Sequence, residues 1–104
     1  MSDIECACQM IRVVWKYRVP IQDYFILEIP KLFKILKFCL QNGVPTLWIA
    51  VDPDSGKKPV SFLVLGTGQY LQEHLSATYV DSVLMNDDSL VWHLFKIDDE
   101  VTDE

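Results

Sequence analysis

The sequence predicts a mainly β fold: one small antiparallel barrel or sandwich of six to seven strands, with at most one short helix. Three observations carry that expectation. Two apolar stretches of strand character, Arg12-Val13-Val14-Trp15-Lys16-Tyr17-Arg18 and Leu90-Val91-Trp92-His93-Leu94-Phe95-Lys96, bracket the chain as its first and last strands. Asn42-Gly43 lies between two apolar segments, which is the strongest short-range hairpin signal. Turn residues recur at a spacing of roughly 8–12, which suits a sandwich or barrel better than a βαβ fold. A meander closed into a small barrel is the expected form.

Residues 1–10 carry no usable period and are expected to be a flexible N-terminal extension. From Ile11 the pattern alternates, with Ile11, Val13, Trp15 and Tyr17 on one face and Arg12, Lys16 and Arg18 on the other, as in a half-buried strand. Pro20 ends it, and Tyr24-Phe25-Ile26-Leu27-Glu28-Ile29 forms a second strand stopped by Pro30. Lys31, Lys34 and Lys37 then recur every third residue, so residues 31–40 fit a short amphipathic helix ended by Asn42-Gly43. They also fit a strand whose Asn42-Gly43 turn leads into Thr46-Leu47-Trp48-Ile49-Ala50-Val51, and the strand is favoured. Asp52-Pro53-Asp54-Ser55-Gly56-Lys57 is a turn, with Asp before Pro and Gly to supply a positive φ. Val60-Ser61-Phe62-Leu63-Val64-Leu65 is apolar on both faces and suits a central strand. Gly66-Thr67-Gly68 marks a backbone excursion, and residues 71–76 suit a helical turn. Tyr79-Val80-Asp81-Ser82-Val83-Leu84-Met85 alternates again, and Asn86-Asp87-Asp88-Ser89 turns it into the closing strand. One β-domain is thus expected over 11–97, followed by an acidic tail over 98–104.

A chain of 104 residues that is 50% hydrophobic can build a single core. Lys or Pro interrupts every apolar stretch before the roughly 20 residues of a membrane helix, so no membrane partner is expected. Met1-Ser2-Asp3-Ile4-Glu5 lacks the basic and apolar regions of a signal peptide, which points to a cytoplasmic protein. The net charge of −6 and pI near 4.7 argue against nucleic acid, whose phosphates need a basic surface. Five of the fifteen acidic residues sit in the tail: Asp98, Asp99, Glu100, Asp103 and Glu104. Cys6, Cys8 and Cys39 are odd in number and argue against a disulfide scaffold. With two histidines and neither a C-x-x-C nor an H-x-x-x-H spacing, no metal or other cofactor is expected.

The best candidate for a ligand is the corner Gly66-Thr67-Gly68 with Gln69 and Tyr70. Two glycines around a hydroxyl residue can present backbone N–H groups to a phosphate or carboxylate, or can simply turn a tight corner. Neither a P-loop nor a dinucleotide fingerprint is completed. His74, beside Glu73, lies close enough in sequence to contact a ligand there. Arg12, Lys16 and Arg18 form a cationic stripe, and the lysines of 31–37 are the other one; each is a solvated face or an anion contact. Asp98, Asp99 and Glu100, with His93, are the candidate contacts to a protein partner. Without a Gly-x-Ser-x-Gly elbow or a histidine with an evident partner, no residue is assigned a catalytic role and an enzyme is not expected. Trp15, Trp48 and Trp92 are all expected to point inward, and any ring facing outward would be an anchor for a base or a partner side chain.

The anchors resemble a family of small proteins of bacteriophages and prophages. They are Trp15-Lys16-Tyr17, Glu28-Ile29-Pro30-Lys31, Lys34-Ile35-Leu36, Gln41-Asn42-Gly43, Leu47-Trp48, Val51-Asp52-Pro53, Gly66-Thr67-Gly68 and Leu90-Val91-Trp92-His93-Leu94-Phe95, spanning about residues 12–96. Relatives carry a His-Pro-Ile-like sequence after the glycine corner, where this chain has Gln69-Tyr70-Leu71. The resemblance implies a phage origin without an assigned activity, and it supports the hairpin over residues 31–51. By analogy with small phage proteins, it implies a non-enzymatic accessory protein that counters a host antiviral defence in the host cytoplasm. Capture of a small anionic nucleotide signal at the glycine corner, between subunits, is the first expectation. An acidic inhibitor of a host defence nuclease or effector is the alternative, and a minor structural virion protein the third. An unclosed sheet edge would favour a homo-oligomer.

Overall fold

The computed structural model describes residues 11–70 and 76–98. Seven strands are present: β1 (Val13–Arg18), β2 (Tyr24–Pro30), β3 (Phe33–Gln41), β4 (Val44–Val51), β5 (Lys57–Gly66), β6 (Ala77–Met85) and β7 (Leu90–Ile97). They form two antiparallel sheets, β1-β4-β3 and β2-β5-β7-β6. The molecule is a small β-sandwich rather than a closed barrel, because no strand is shared between the sheets. The bracketing strands do not meet in one sheet. β1 is an edge of the three-stranded sheet, and β7 lies inside the four-stranded one.

The order departs from a meander because the connections have different chemistry. Asn42 and Gly43, at φ 53° and 80°, make the left-handed turn that matches strand twist, so β3 and β4 are a hairpin and residues 33–41 a strand. The β6–β7 hairpin turns through Asn86, Asp87 and Asp88, all at positive φ, with Ser89 N–H donating to the Asn86 carbonyl at 3.0 Å. The segments holding Pro20, Pro30 and Pro53 instead carry the chain from one sheet to the other. These crossings are laced by Lys31 N–H to Gly56 O at 2.8 Å and Asp52 N–H to Leu32 O at 3.0 Å. β5 takes the central place expected of it, between β2 and β7.

The core lies between the layers and is built by alternate residues. Leu47, Ile49 and Val51 of β4 and Phe62 and Val64 of β5 share one buried cluster with Ile29, Phe38 and Leu94, all at most 1% exposed. Phe25 and Phe62 are cross-strand partners whose rings stack at 5.2 Å and 11°. Lys57 stands over the Trp15 ring and Lys58 over Phe33, so cations of one sheet cover aromatic rings of the other. Trp15 and Trp92 pack against the core as expected.

Tyr17 sits at a core-facing position, and its hydroxyl is buried without a hydrogen-bond partner among the described residues. Burial holds its phenol above the ordinary tyrosine pKa. Removing that hydroxyl relieves an unsatisfied donor, so Tyr17→Phe is expected to raise unfolding stability by about 1 kcal/mol. Urea denaturation of the two proteins checks this, and an unchanged or lower midpoint would contradict it.

Candidate functional site

The outward residues of the three-stranded sheet follow from its register. Lys16 and Lys37 are the cross-strand partners of Trp48 on its two sides. One step along the strands, Arg18 and Cys39 flank Thr46; one step the other way, Val14 and Lys34 flank Ala50. Trp48 therefore points away from the core, contrary to the expectation that all three tryptophans point inward. Its neighbours Leu47 and Ile49 are at 0% exposure and occupy the inner face, which leaves Trp48 the outer one.

A β-bulge brings the two lysines of β3 to this face. The register with β4 shifts between Ile35 and Lys37, so Leu36 is the extra residue and is 50% exposed. Strict alternation would send Lys34 and Lys37 to opposite faces. With the bulge, Ile35 and Phe38 both partner inward residues, and Lys34 and Lys37 both partner outward ones. The three-residue spacing of Lys34 and Lys37, which imitates a helix in the sequence, is the signature of this bulge.

Two residues from each cationic stripe of the sequence thus share one surface. Lys16, Arg18, Lys34 and Lys37 are all exposed, and the outward positions between Val14 and Arg18, across to β3, hold no Asp or Glu. Lys16 Nζ lies 5.6 Å from the Trp48 ring centroid and donates to Gln41 Oε1 at 2.9 Å. Beside them is a shallow pocket of about 120 Å³ lined by Lys16, Arg18, Gln41, Asn42, Val44 and Thr46. Thr46 is 2% exposed, with its hydroxyl donating to the Val44 carbonyl at 2.9 Å, and forms a fixed floor. Such a surface can hold an anion by charge-assisted hydrogen bonds and a planar group by the indole.

Arg12 does not share this freedom. Its guanidinium donates to Asp54 at 2.7 Å and to Asp52 at 3.4 Å, so its charge is matched locally. Asp54 is the larger reason that its pKa is raised. Asp52, 5% exposed, also accepts the Asp54 backbone N–H at 3.0 Å, which fixes the turn at Pro53.

The glycine corner lies on the other sheet and is largely closed on itself. The Gly66 N–H donates to the Gln69 side-chain oxygen, and the Gln69 N–H returns to the Gly66 carbonyl at 3.1 Å. One donor of the expected anion nest is therefore already occupied. A β-carbon on Gly66 would meet Gln69 Oε1 at 3.2 Å and Trp92 Cζ3 at 3.4 Å, and Gly68 sits at φ 97°, so Gly66 has a steric reason to be there and Gly68 a conformational one. Tyr70 is 96% exposed. His74 lies outside the described residues, as does the helical turn expected over 71–76 apart from Ser76.

Thr67 reaches across to His93. His93 bridges two hydroxyls, Thr67 Oγ1 to Nε2 at 2.8 Å and Ser82 Oγ to Nδ1 at 2.7 Å, and Ser82 meets the Tyr79 hydroxyl at 2.7 Å. A second register shift, between Tyr79 and Asp81, puts Tyr79 and Ser82 on the same face. This polar chain ties the corner to β6. It crosses a surface where Tyr24, Ile26, Tyr79 and Leu84 are about half exposed. The candidate ligand residues accordingly fall on two outward faces: Lys16 and Arg18 on one sheet, and Thr67 with its neighbours on the other.

Asp98 belongs to the body of the domain. Its N–H donates to the Ser76 carbonyl at 2.8 Å, and its carboxylate accepts from Ser76 at 2.9 Å and Thr78 at 2.8 Å, with Lys96 at 3.7 Å. Asp99 and Glu100 lie outside the described residues. The hydrogen bonds from Thr78 and then Ser76 hold the Asp98 carboxyl below the ordinary aspartate pKa. A depressed pKa contributes stability above the unfolded value, near pH 4, that is lost as pH falls through the folded value. Asp98→Asn is therefore expected to be less stable than the parent at pH 7, with the gap closing below about pH 4. Paired urea unfolding at pH 7 and pH 3 checks it; a gap independent of pH would contradict the assignment.

Among the described residues there is no helix long and apolar enough to cross a membrane, and no group of three or more His, Cys, Asp or Glu placed to hold a metal ion. A model of the family described as domain of unknown function DUF7352 matches residues 10–103. The chain belongs to the DUF7352 family. The match covers every strand of the sandwich and so both outward faces. No curated protein and no solved structure matches this DUF7352 chain.

Proposed function

We propose that this DUF7352 protein is a non-enzymatic binding protein that captures a small anionic ligand on the outer face of its β1-β4-β3 sheet. The observation that carries the reading is the convergence of Lys16, Arg18, Lys34 and Lys37 around the outward Trp48, with no Asp or Glu at the outward strand positions between them, in a chain of net charge −6. Four of the nine cationic residues on one sheet face concentrate positive potential there, in a chain with fifteen acidic residues. In the phage setting implied by the sequence resemblance, capture of a nucleotide signal would blunt a host defence in the host cytoplasm.

Thermal unfolding with a panel of cyclic and ADP-ribose-like nucleotides tests the reading. A ligand present at a hundred times its Kd should add about 2.7 kcal/mol, or roughly 10 °C or more in Tm for a domain of this size. No shift with any member of the panel would overturn nucleotide capture.

A further inference from the structure

Resting on that reading, we infer that the ligand is phosphodiester-linked: two phosphates separated by a nucleoside, bound on the two sides of Trp48. The register supplies the argument. Lys16 and Lys37 are the direct cross-strand neighbours of Trp48, one on β1 and one on β3. Arg18 lies one step beyond Lys16 in one direction, and Lys34 one step beyond Lys37 in the other. The cations therefore form a diagonal track from Arg18 through Lys16, past the indole, to Lys37 and Lys34. A single phosphate would engage one end of it and leave the other unused.

The track has the dimensions of a short backbone. β1 and β3 stand on either side of β4, so their backbones are roughly 10 Å apart, and flexible lysine stems shorten that gap at their tips. Trp48 lies at the centre, where a base joined to both phosphates would stack. Lys16 already rests against the indole at 5.6 Å, and Gln41 and Asn42 at the end of the pocket offer amide donors and acceptors to a sugar or base edge. At the Val14 and Lys34 end of the face Arg12 is already matched by Asp52 and Asp54, so a further phosphate there would meet carboxylates rather than a new partner. The geometry thus favours a dinucleotide over a long single strand, although both share the chemistry.

Fluorescence titration of the full chain with 5′-phosphorylated dithymidine, thymidine monophosphate, inorganic tripolyphosphate and a ten-residue oligothymidine tests this. The dinucleotide should quench Trp48 emission and bind at least tenfold tighter than the monophosphate. Trp48→Leu should abolish the quench, and Lys16→Gln and Lys37→Gln should each weaken binding about tenfold, with the fold confirmed by circular dichroism. Trp48→Tyr should restore most of the affinity by keeping an aromatic platform. Equal binding of the dinucleotide and the ten-residue strand supports the track and names the dinucleotide as its source. Much tighter binding of the strand would overturn the two-phosphate track in favour of a nucleic-acid surface. If the monophosphate and tripolyphosphate bind as tightly as the dinucleotide and Trp48 emission is unchanged, the phosphodiester inference is overturned and the anion face stands. If none of the four probes binds, both are overturned.

Discussion

The double variant Lys16→Glu, Lys37→Glu is expected to bind its anionic ligand a hundredfold or more weaker than the parent, while unfolding within about 1 kcal/mol of it. Each lysine removes a charge-assisted contact worth roughly tenfold in affinity, and each glutamate adds repulsion at the same place. Both side chains are exposed on the outer face, so no core packing is lost. The structural contacts forfeited are a lysine on the Trp48 ring at 5.6 Å and a surface hydrogen bond to Gln41, which are small at solvent-exposed sites. Calorimetric titration with the best ligand of the nucleotide panel, alongside urea unfolding, separates the two effects. Undiminished affinity would move the anion site away from this sheet.

Phe62→Ala is expected to produce the largest loss of stability. Phe62 is fully buried at the centre of β5, the strand that joins β2 to β7, and stacks on Phe25 at 5.2 Å. Removing a phenyl ring from such a site costs about 3–5 kcal/mol, through lost transfer energy and the cavity left behind. Small domains have roughly 5–15 kcal/mol in total, so the variant should melt about 15–30 °C lower or fail to fold at 37 °C. Phe62→Leu should recover most of the loss, because it refills much of the volume. A Phe62→Ala protein with parental Tm would mean that the two sheets do not pack as described.

How much of this was legible follows from which rules act locally. The turn at Asn42-Gly43 was readable because its left-handed backbone needs those residue types, and with it the choice of strand over helix for residues 33–41. The central place of β5 was readable from apolar residues at both parities. The connections were not. Asp52-Pro53-Asp54-Ser55-Gly56 announces a turn, but nothing in it says that the chain crosses to the other sheet, so the sequence pattern alone reads as one closed barrel. The functional face was half legible. Arg12, Lys16 and Arg18 formed a visible stripe, yet only the tertiary contacts of Arg12 with Asp52 and Asp54 take it out of the set.

By itself, the sequence determined the strand content, the hairpin turns and the residues able to fill a core, because these depend on periodicity and local backbone preference. Only the tertiary structure decided that Lys16 and Lys37 flank an outward Trp48. That result depends on pairing β1 and β3 with the same strand, and on a bulge at Leu36 that resets which lysines share a face. Pairing between strands far apart in sequence is set by which faces can be buried together, and alternation within one strand carries no record of its partner.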